Sequence, residues 1–273
     1  MNIYVALPLF CVLLFVGCMF CHGELAAMRP EPQYLTRFYL ALSVGGAIGG
    51  LLVGVLAPLV FDSFAELPLA LMACALLATY LWWQSPSTPV SKSAAQAVTA
   101  AAVGISAVTG WYLWDYSRPS PETIVSKRDF YGTLSVTQTG PLEDKNTLRH
   151  LYHGTISHGW QYTDAQLRTK PISYFGPGAG ISRVLDFYAQ ERPAIDVGIL
   201  GLGIGVLAAY GREADNYRIY ELVPSVLDIA KKYFWYLTDA KAKVSFSLGD
   251  GRLNLERDPP QQFDMLSIDA FSS

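Results

Sequence analysis

The sequence predicts an α/β protein in three parts: transmembrane helices over 1–116, a small β-strand region over 117–170, and a parallel sheet flanked by helices over 171–273. Three observations predict it. Residues before 115 are overwhelmingly apolar and small, with few charges. Residues after 115 alternate short apolar runs with turn residues, as a folded water-facing domain does. Within that second half, residues 196–221 read as a buried strand, a glycine turn, a helix start and a second buried strand that ends in an acid.

The apolar half holds four candidate spans. Residues 3–21 and 38–61 carry no charge and meet the roughly 20 residues a hydrocarbon core requires. Residues 67–83 are shorter, and 94–114 are longer and alanine-rich. Trp82, Trp83, Trp111, Tyr112 and Trp114 stand at segment ends, where aromatic rings anchor at the membrane interface. With no cationic residues ahead of the first apolar run, a cleaved leader is the weaker reading. Gly45, Gly46, Gly49, Gly50 and Gly54 recur at helical spacing, which predicts a helix-packing seam. Four spans would place the N-terminus and the second half on the same side of the bilayer. Arg118, Lys127 and Arg128 against Arg29, Arg37 and Lys92 leave the orientation undecided. A cytoplasmic second half in a multi-pass cell-membrane (inner-membrane) protein is expected because the ligand inferred below is made there.

Charge and cysteine usage exclude other classes. The net charge is -3, and no cluster of Lys and Arg exists to neutralise a phosphate backbone, so no nucleic acid is expected. All four cysteines, Cys11, Cys18, Cys21 and Cys74, lie in the apolar half, so no disulfide framework supports the second half. Cys18-Met-Phe-Cys21-His22 fits the pattern of c-type haem attachment, but no second axial ligand follows, and it reads as an accident of a helix end.

Arg118-Pro-Ser-Pro121 ends the last apolar segment, since proline cannot continue a helix. Residues 130–139 and 147–157 then read as two strands joined by a polar turn. His150, His153 and His158 raise the question of a metal. In a regular strand, however, His153 points away from His150, and no cysteine is near, so none is expected.

The third part starts with a proline- and glycine-rich loop over 171–180, expected to cross near a ligand mouth. Helices are predicted over 181–190 and 225–237, and strands over 197–200, 217–220, 244–248 and 263–268. Acids follow three strand tips: Glu221, Asp250 and Asp269. Parallel strands present their carboxyl ends at one edge, so these acids should converge on the glycine turn of Gly201, Gly203 and Gly205. Glu221 is placed to accept hydrogen bonds from a ribose diol. Gly203, Gly205 and Ala208 also match a dinucleotide fingerprint, but Gly249-Asp250-Gly251 and Asp269 are not required by it.

At these residues the chain resembles the spermidine synthase (polyamine aminopropyltransferase) family, within the Rossmann-like class I methyltransferase fold. The resemblance rests on Gly201-Leu-Gly-Ile-Gly205, Tyr220-Glu221-Leu-Val-Pro224, Gly249-Asp250-Gly251-Arg252-Leu253 and the run from Phe263 through Asp269 to Ser273. Phe130-Tyr-Gly132 and the run from Leu151 to Gln161 resemble that family's N-terminal strands. His22-Gly-Glu-Leu-Ala26 and the run from Phe38 to Gly46 resemble its membrane-embedded branch.

The resemblance implies a sheet in the order 3-2-1-4 and a nucleoside co-substrate, decarboxylated S-adenosylmethionine or S-adenosylmethionine, with no metal. Gly201, Gly203 and Gly205 would line that ligand, Glu221 would hold its ribose, and Asp250 and Gly251 would meet its adenine. Asp269 matches the catalytic acid. The partners implied are the lipid bilayer and a small-molecule amine or another acceptor, with homo-oligomerisation left open. Ile204, Val223 and Ser272 stand where such synthases often carry acids, which leaves plain methyl transfer or a non-catalytic sensing or docking role as alternatives. Because family members continue beyond the fourth strand, the chain is expected to be a fragment, inactive in this form.

Overall fold

A computed structural model describes residues 3–84, 97, 100, 101, 103, 104, 107, 108, 110–112, 114, 115, 118 and 120–269. The chain divides into two compact units, Met1–Arg118 and Pro119–Ser273.

The first unit is helical. α1 (Ile3–Ala27) runs through the Cys18–His22 stretch without a break, beyond the predicted end of the first span. A single 3-10 turn, Pro32–Tyr34, leads into α2 (Leu35–Leu51). A π-helical turn (Leu52–Leu56) and α3 (Ala57–Val60) extend it, and α4 (Glu66–Gln84) follows. Three stretches, Phe10–Ala27, Pro32–Val60 and Glu66–Gln84, are long and apolar enough to cross a membrane. Their apolar side chains face outward, which is the arrangement a lipid surround favours and water does not. About half of the fourth predicted span, 94–114, lies outside the described residues. The glycine seam has no partner among the described residues: a Cβ at Gly45, Gly46, Gly49, Gly50 or Gly54 would meet nothing within 4 Å.

The second unit is mixed α/β. Its first sheet is antiparallel, in the order β1-β2-β3-β4: β1 (Thr123–Asp129), β2 (Gly132–Thr139), β3 (Leu148–His153) and β4 (Ile156–Tyr162). The predicted two-strand region is therefore four strands. Gly154, at φ 59°, turns the chain after His153, so the single run expected over 147–157 becomes a hairpin.

The second sheet is parallel. β5 (Asp196–Leu200), β6 (Asn216–Glu221), β7 (Lys243–Leu248) and β8 (Met265–Ile268) lie in the order β7-β6-β5-β8. Val197 and Ile199 on β5 and Tyr217 and Ile219 on β6 are buried, each aliphatic side chain contributing about 1.5–3 kcal/mol. β8 forms one border of this sheet, and Ile268 on it is 71% exposed. Asp264 fastens the start of β8 to β5: its Oδ2 accepts from the Asp196 amide at 2.9 Å, and its Oδ1 pairs with Arg192.

α5 (Gly180–Glu191) buries Ser182 and Leu185, and α6 (Pro224–Tyr233) buries Val226, Leu227, Ile229 and Ala230. Pro224 opens α6 and Lys231 and Lys232 close it, as the helix dipole favours. α6 stops four residues short of the expected end. A last helix, α7 (Gly251–Arg257), follows β7.

The two sheets share one core, in which Leu134, Val136 and Leu151 join Val197, Ile199 and Ile219. Polar contacts also tie the first sheet to the end of α6 and the segment after it. Arg149 donates to the Tyr233 carbonyl at 2.9 Å, and the buried Gln161 accepts from the Trp235 amide at 2.9 Å.

Candidate functional site

The parallel register decides what meets at the carboxyl edge. Leu200 pairs with Tyr220 on one side and with Ile268 on the other, and Glu221 pairs with Leu248. The next residues therefore emerge together. Gly201 donates to the Tyr220 carbonyl at 2.8 Å, Gly249 to the Glu221 carbonyl at 2.9 Å, and Asp269 to the Leu200 carbonyl at 2.9 Å. The backbones of the glycine turn and of all three acids thus lie along one edge. Their side chains do three different jobs.

The turn itself is made of left-handed glycines, with φ of 93°, 55° and 82° at Gly201, Gly203 and Gly205. It leads into a 3-10 turn, Val206–Tyr210, where an α-helix start was expected. Two of the three glycines are also required by packing. A Cβ at Gly203 would lie 3.1 Å from the His158 carbonyl, and one at Gly205 would lie 2.8 Å from Leu237 Cδ2. β4 therefore covers one side of the turn. Ile204, fully buried, packs its side chain against Gly159 of that strand.

Glu221 is only 7% exposed. Its Oε2 accepts from the Leu202 amide at 2.9 Å and its Oε1 from the Val223 amide at 2.8 Å. The carboxylate thus ties the glycine turn to the start of α6. Burial raises its pKa, while the amides of Val223, Leu202 and Leu222 and the nearby His153 pull the other way without cancelling the rise.

Asp250 is exposed and caps α7, its Oδ1 accepting from the Leu253 amide at 2.9 Å. Gly251, the first residue of that helix, packs close to Leu200: a Cβ there would sit 3.4 Å from Leu200 Cδ2.

Asp269 is half-buried and meets a residue that the sequence did not single out. The Tyr174 hydroxyl donates to Asp269 Oδ2 at 3.4 Å, a long hydrogen bond. Partial burial raises the Asp269 pKa, and the tyrosine offsets part of that rise. Burial, then the neighbouring carboxylate, pushes the Tyr174 hydroxyl well above the usual phenol range, so it stays a donor. Tyr174 lies in the 171–180 loop, which was expected near the mouth, but nothing in the loop's composition marks one tyrosine. Beside it Ser173 holds φ 74°, a strained conformation for a non-glycine residue, and its buried Oγ has no hydrogen-bond partner.

His153 and His158 face each other across the β3–β4 turn, with ring centroids 5.7 Å apart, and His153 Nε2 donates to the Tyr131 carbonyl at 2.8 Å. Among the described residues no group of three or more His, Cys, Asp or Glu side chains could hold a metal ion.

A cleft of about 720 Å³ opens elsewhere in the unit, lined by Thr169, Tyr210, Arg212, Tyr236, Asp239 and Lys241 among others. None of Gly201, Gly203, Gly205, Glu221, Asp250, Gly251 or Asp269 lines it. Two of its charged groups are engaged within the protein: Arg212 with Asp215 and with the carbonyls of Ala189 and Arg192, and Asp239 with Arg168. Compared with known proteins, the chain matches no family model and no curated relative.

Proposed function

We propose that the chain is a membrane-anchored transferase of the spermidine-synthase type, which binds an S-adenosyl sulfonium nucleoside at the β5 turn and uses Asp269 as a base. The observation that carries this reading is the position of Asp269. It follows β8 directly, its amide is bonded to Leu200 just ahead of the glycine turn, and its half-buried carboxyl has a raised pKa and a tyrosine donor. A carboxylate of raised basicity at the strand edge beside the glycine turn suits proton abstraction from an amine.

Gly201, Gly203, Glu221, Asp250 and Gly251 would hold the nucleoside. The half-buried Gly201 and Gly203 support close backbone approach, and Asp250 keeps Oδ2 without a partner among the described residues. The nucleoside supplies an electrophilic carbon next to a sulfonium. In the reaction the acceptor nitrogen bonds to that carbon, the carbon–sulfur bond breaks, a neutral thioether leaves, and the amine proton passes to Asp269. Tyr174 orients the carboxylate for that transfer. The apolar spans would hold the enzyme at a cell membrane as a multi-pass protein, with the second unit in the cytoplasm, where sulfonium nucleosides are made.

A second reading, methyl transfer from S-adenosylmethionine, is favoured by Ile204 and Val223. Both are core residues here, so neither offers a polycationic acceptor the negative charge that an acid at those positions would.

The test is calorimetry on the full-length protein in detergent or nanodiscs with decarboxylated and ordinary S-adenosylmethionine, followed by its turnover with and without Asp269→Asn. Tight binding of the decarboxylated form, with transfer reduced about 10²–10⁴-fold in the variant, is the expected result. Preference for the ordinary form selects methyl transfer. Binding of neither selects a non-catalytic sensing or docking module, and undiminished turnover in Asp269→Asn removes the base assignment.

A further inference from the structure

Away from the candidate site, two cysteines from different helices meet inside the first unit. Cys21 on α1 and Cys74 on α4 bring their Sγ atoms to 3.8 Å. One turn earlier on each helix there is a second contact: a Cβ at Gly17 would lie 3.9 Å from Leu71 Cδ2. Residues three and four apart share a helix face, so Gly17 and Cys21 form one stripe and Leu71 and Cys74 the facing one. The two contacts advance in the same direction on both helices, so α1 and α4 run parallel along this seam. That is the direction that crossing, returning and crossing again imposes on a first and third span. The sulfur pair therefore sits in an ordered helix–helix contact.

Cys21 and Cys74 are half-buried, whereas Cys11 and Cys18 are exposed, and all four are free thiols. A disulfide needs its sulfurs at roughly 2 Å, so the pair stands about 2 Å outside bonding distance. Cys74 lies about 12 Å along the helix from Glu66 and about 15 Å from Gln84, well inside the span. A charged, water-borne disulfide is excluded from such surroundings, whereas a neutral oxidant can enter them.

We propose that Cys21 and Cys74 are a disulfide-forming pair that joins α1 to α4 when a neutral, membrane-permeant two-electron acceptor, of which quinones are the class dissolved in bilayers, reaches them. In that step both S–H bonds break and one S–S bond forms. The two electrons and two protons leave together, and a quinone departs as a hydroquinone. The bond would fix the first and third spans in their parallel register, and a reductant would release them.

The experiment uses the full chain in liposomes, treated with the permeant oxidant diamide and, separately, with charged oxidised glutathione. Free thiols are then alkylated in denaturant, and peptides are mapped by mass spectrometry. Diamide should give a dithiothreitol-sensitive peptide linking Cys21 to Cys74, absent from Cys21→Ser and Cys74→Ser and retained in Cys11→Ser and Cys18→Ser. Glutathione should leave both thiols open to alkylation. The reading on the parent chain stands without the variants, so a variant that fails to fold does not blur it. Full alkylation of Cys21 and Cys74 after diamide, or a bond that involves Cys18 instead, overturns the pairing. Formation with glutathione but not with diamide overturns the assignment of the oxidant.

Discussion

Replacing Glu221 with Gln tests whether this acid primarily holds the glycine turn. The carboxylate accepts two buried amides, Leu202 at 2.9 Å and Val223 at 2.8 Å, one on each oxygen. A carboxamide of the same shape has one acceptor oxygen and one NH2 group, so it can satisfy only one amide and sets a donor against the other. Losing a hydrogen bond to a charged group costs about 1.5–3 kcal/mol, and the buried N–H left unpaired adds about 1–3 kcal/mol. The neutral side chain escapes the desolvation that raises the Glu221 pKa, which offsets part of the loss. The net expectation is a loss of roughly 2–4 kcal/mol, or a fall in Tm of about 5–15 °C for a unit of this size. Thermal unfolding of the full chain in nanodiscs measures it, and hydrogen exchange at residues 201–205 localises it, since the Leu202 amide should lose protection. If Glu221→Gln melts within about 1 °C of the parent, keeps that protection and loses nucleoside affinity, the carboxylate serves the ligand and the strut assignment is wrong.

Four further predictions follow from the same unit. Because partial burial raises the Asp269 pKa, the acid limb of the pH–rate profile should lie above the range of a free aspartate, with activity rising as pH rises through it. Tyr174→Phe should move that limb further up, because it removes the hydrogen bond that offsets the burial, and an unmoved limb would detach Tyr174 from the base. Gly205→Ala places a Cβ 2.8 Å from Leu237 Cδ2 at a φ of 82°, and should destabilise by about 2–4 kcal/mol in a denaturant titration. Asp215, 1% exposed, suffers a burial that raises its pKa, but the Arg212 side chain and the amides of Arg212 and Ile195 bring it below the ordinary value. Its contribution to stability is thus present above the unfolded-state pKa and lost as pH falls through the folded one. Asp215→Asn should lower Tm most at neutral pH, and the gap from the parent should close in acid; a gap independent of pH would refute the ionic role.

How much of the candidate site was legible in the sequence depended on how local each signal is. The short apolar runs at 197–200 and 217–220, the glycines between them and the acid after each strand are features of neighbouring residues, and they sufficed to put Gly201, Glu221, Asp250 and Asp269 at one sheet edge. Tyr174 was not legible, because its contact with Asp269 joins residues 95 apart and exists only once the loop is folded over the edge. β4 was hidden for a related reason: residues 147–157 alternate like one strand, and only the turn at Gly154 and the pairing of His150 with Trp160 divide them. The helix over 225–237 was overextended because its stripe continues to Leu237, yet Phe234 leaves the helix and the Trp235 amide is taken by Gln161.

By itself the sequence determined the apolar and water-facing halves, the types of most elements and the edge at which the acids emerge, since these follow from hydropathy, periodicity and backbone conformation within a few residues. Only the tertiary structure decided what each acid does there. A carboxylate's role is set by which donors surround it and how much water remains, and those come from distant segments: amides on both sides of Glu221, the α7 amide on Asp250, and a loop tyrosine on Asp269. The pairing of Cys21 with Cys74 belongs to the same class, because residues 53 apart become neighbours only when α1 and α4 pack in parallel.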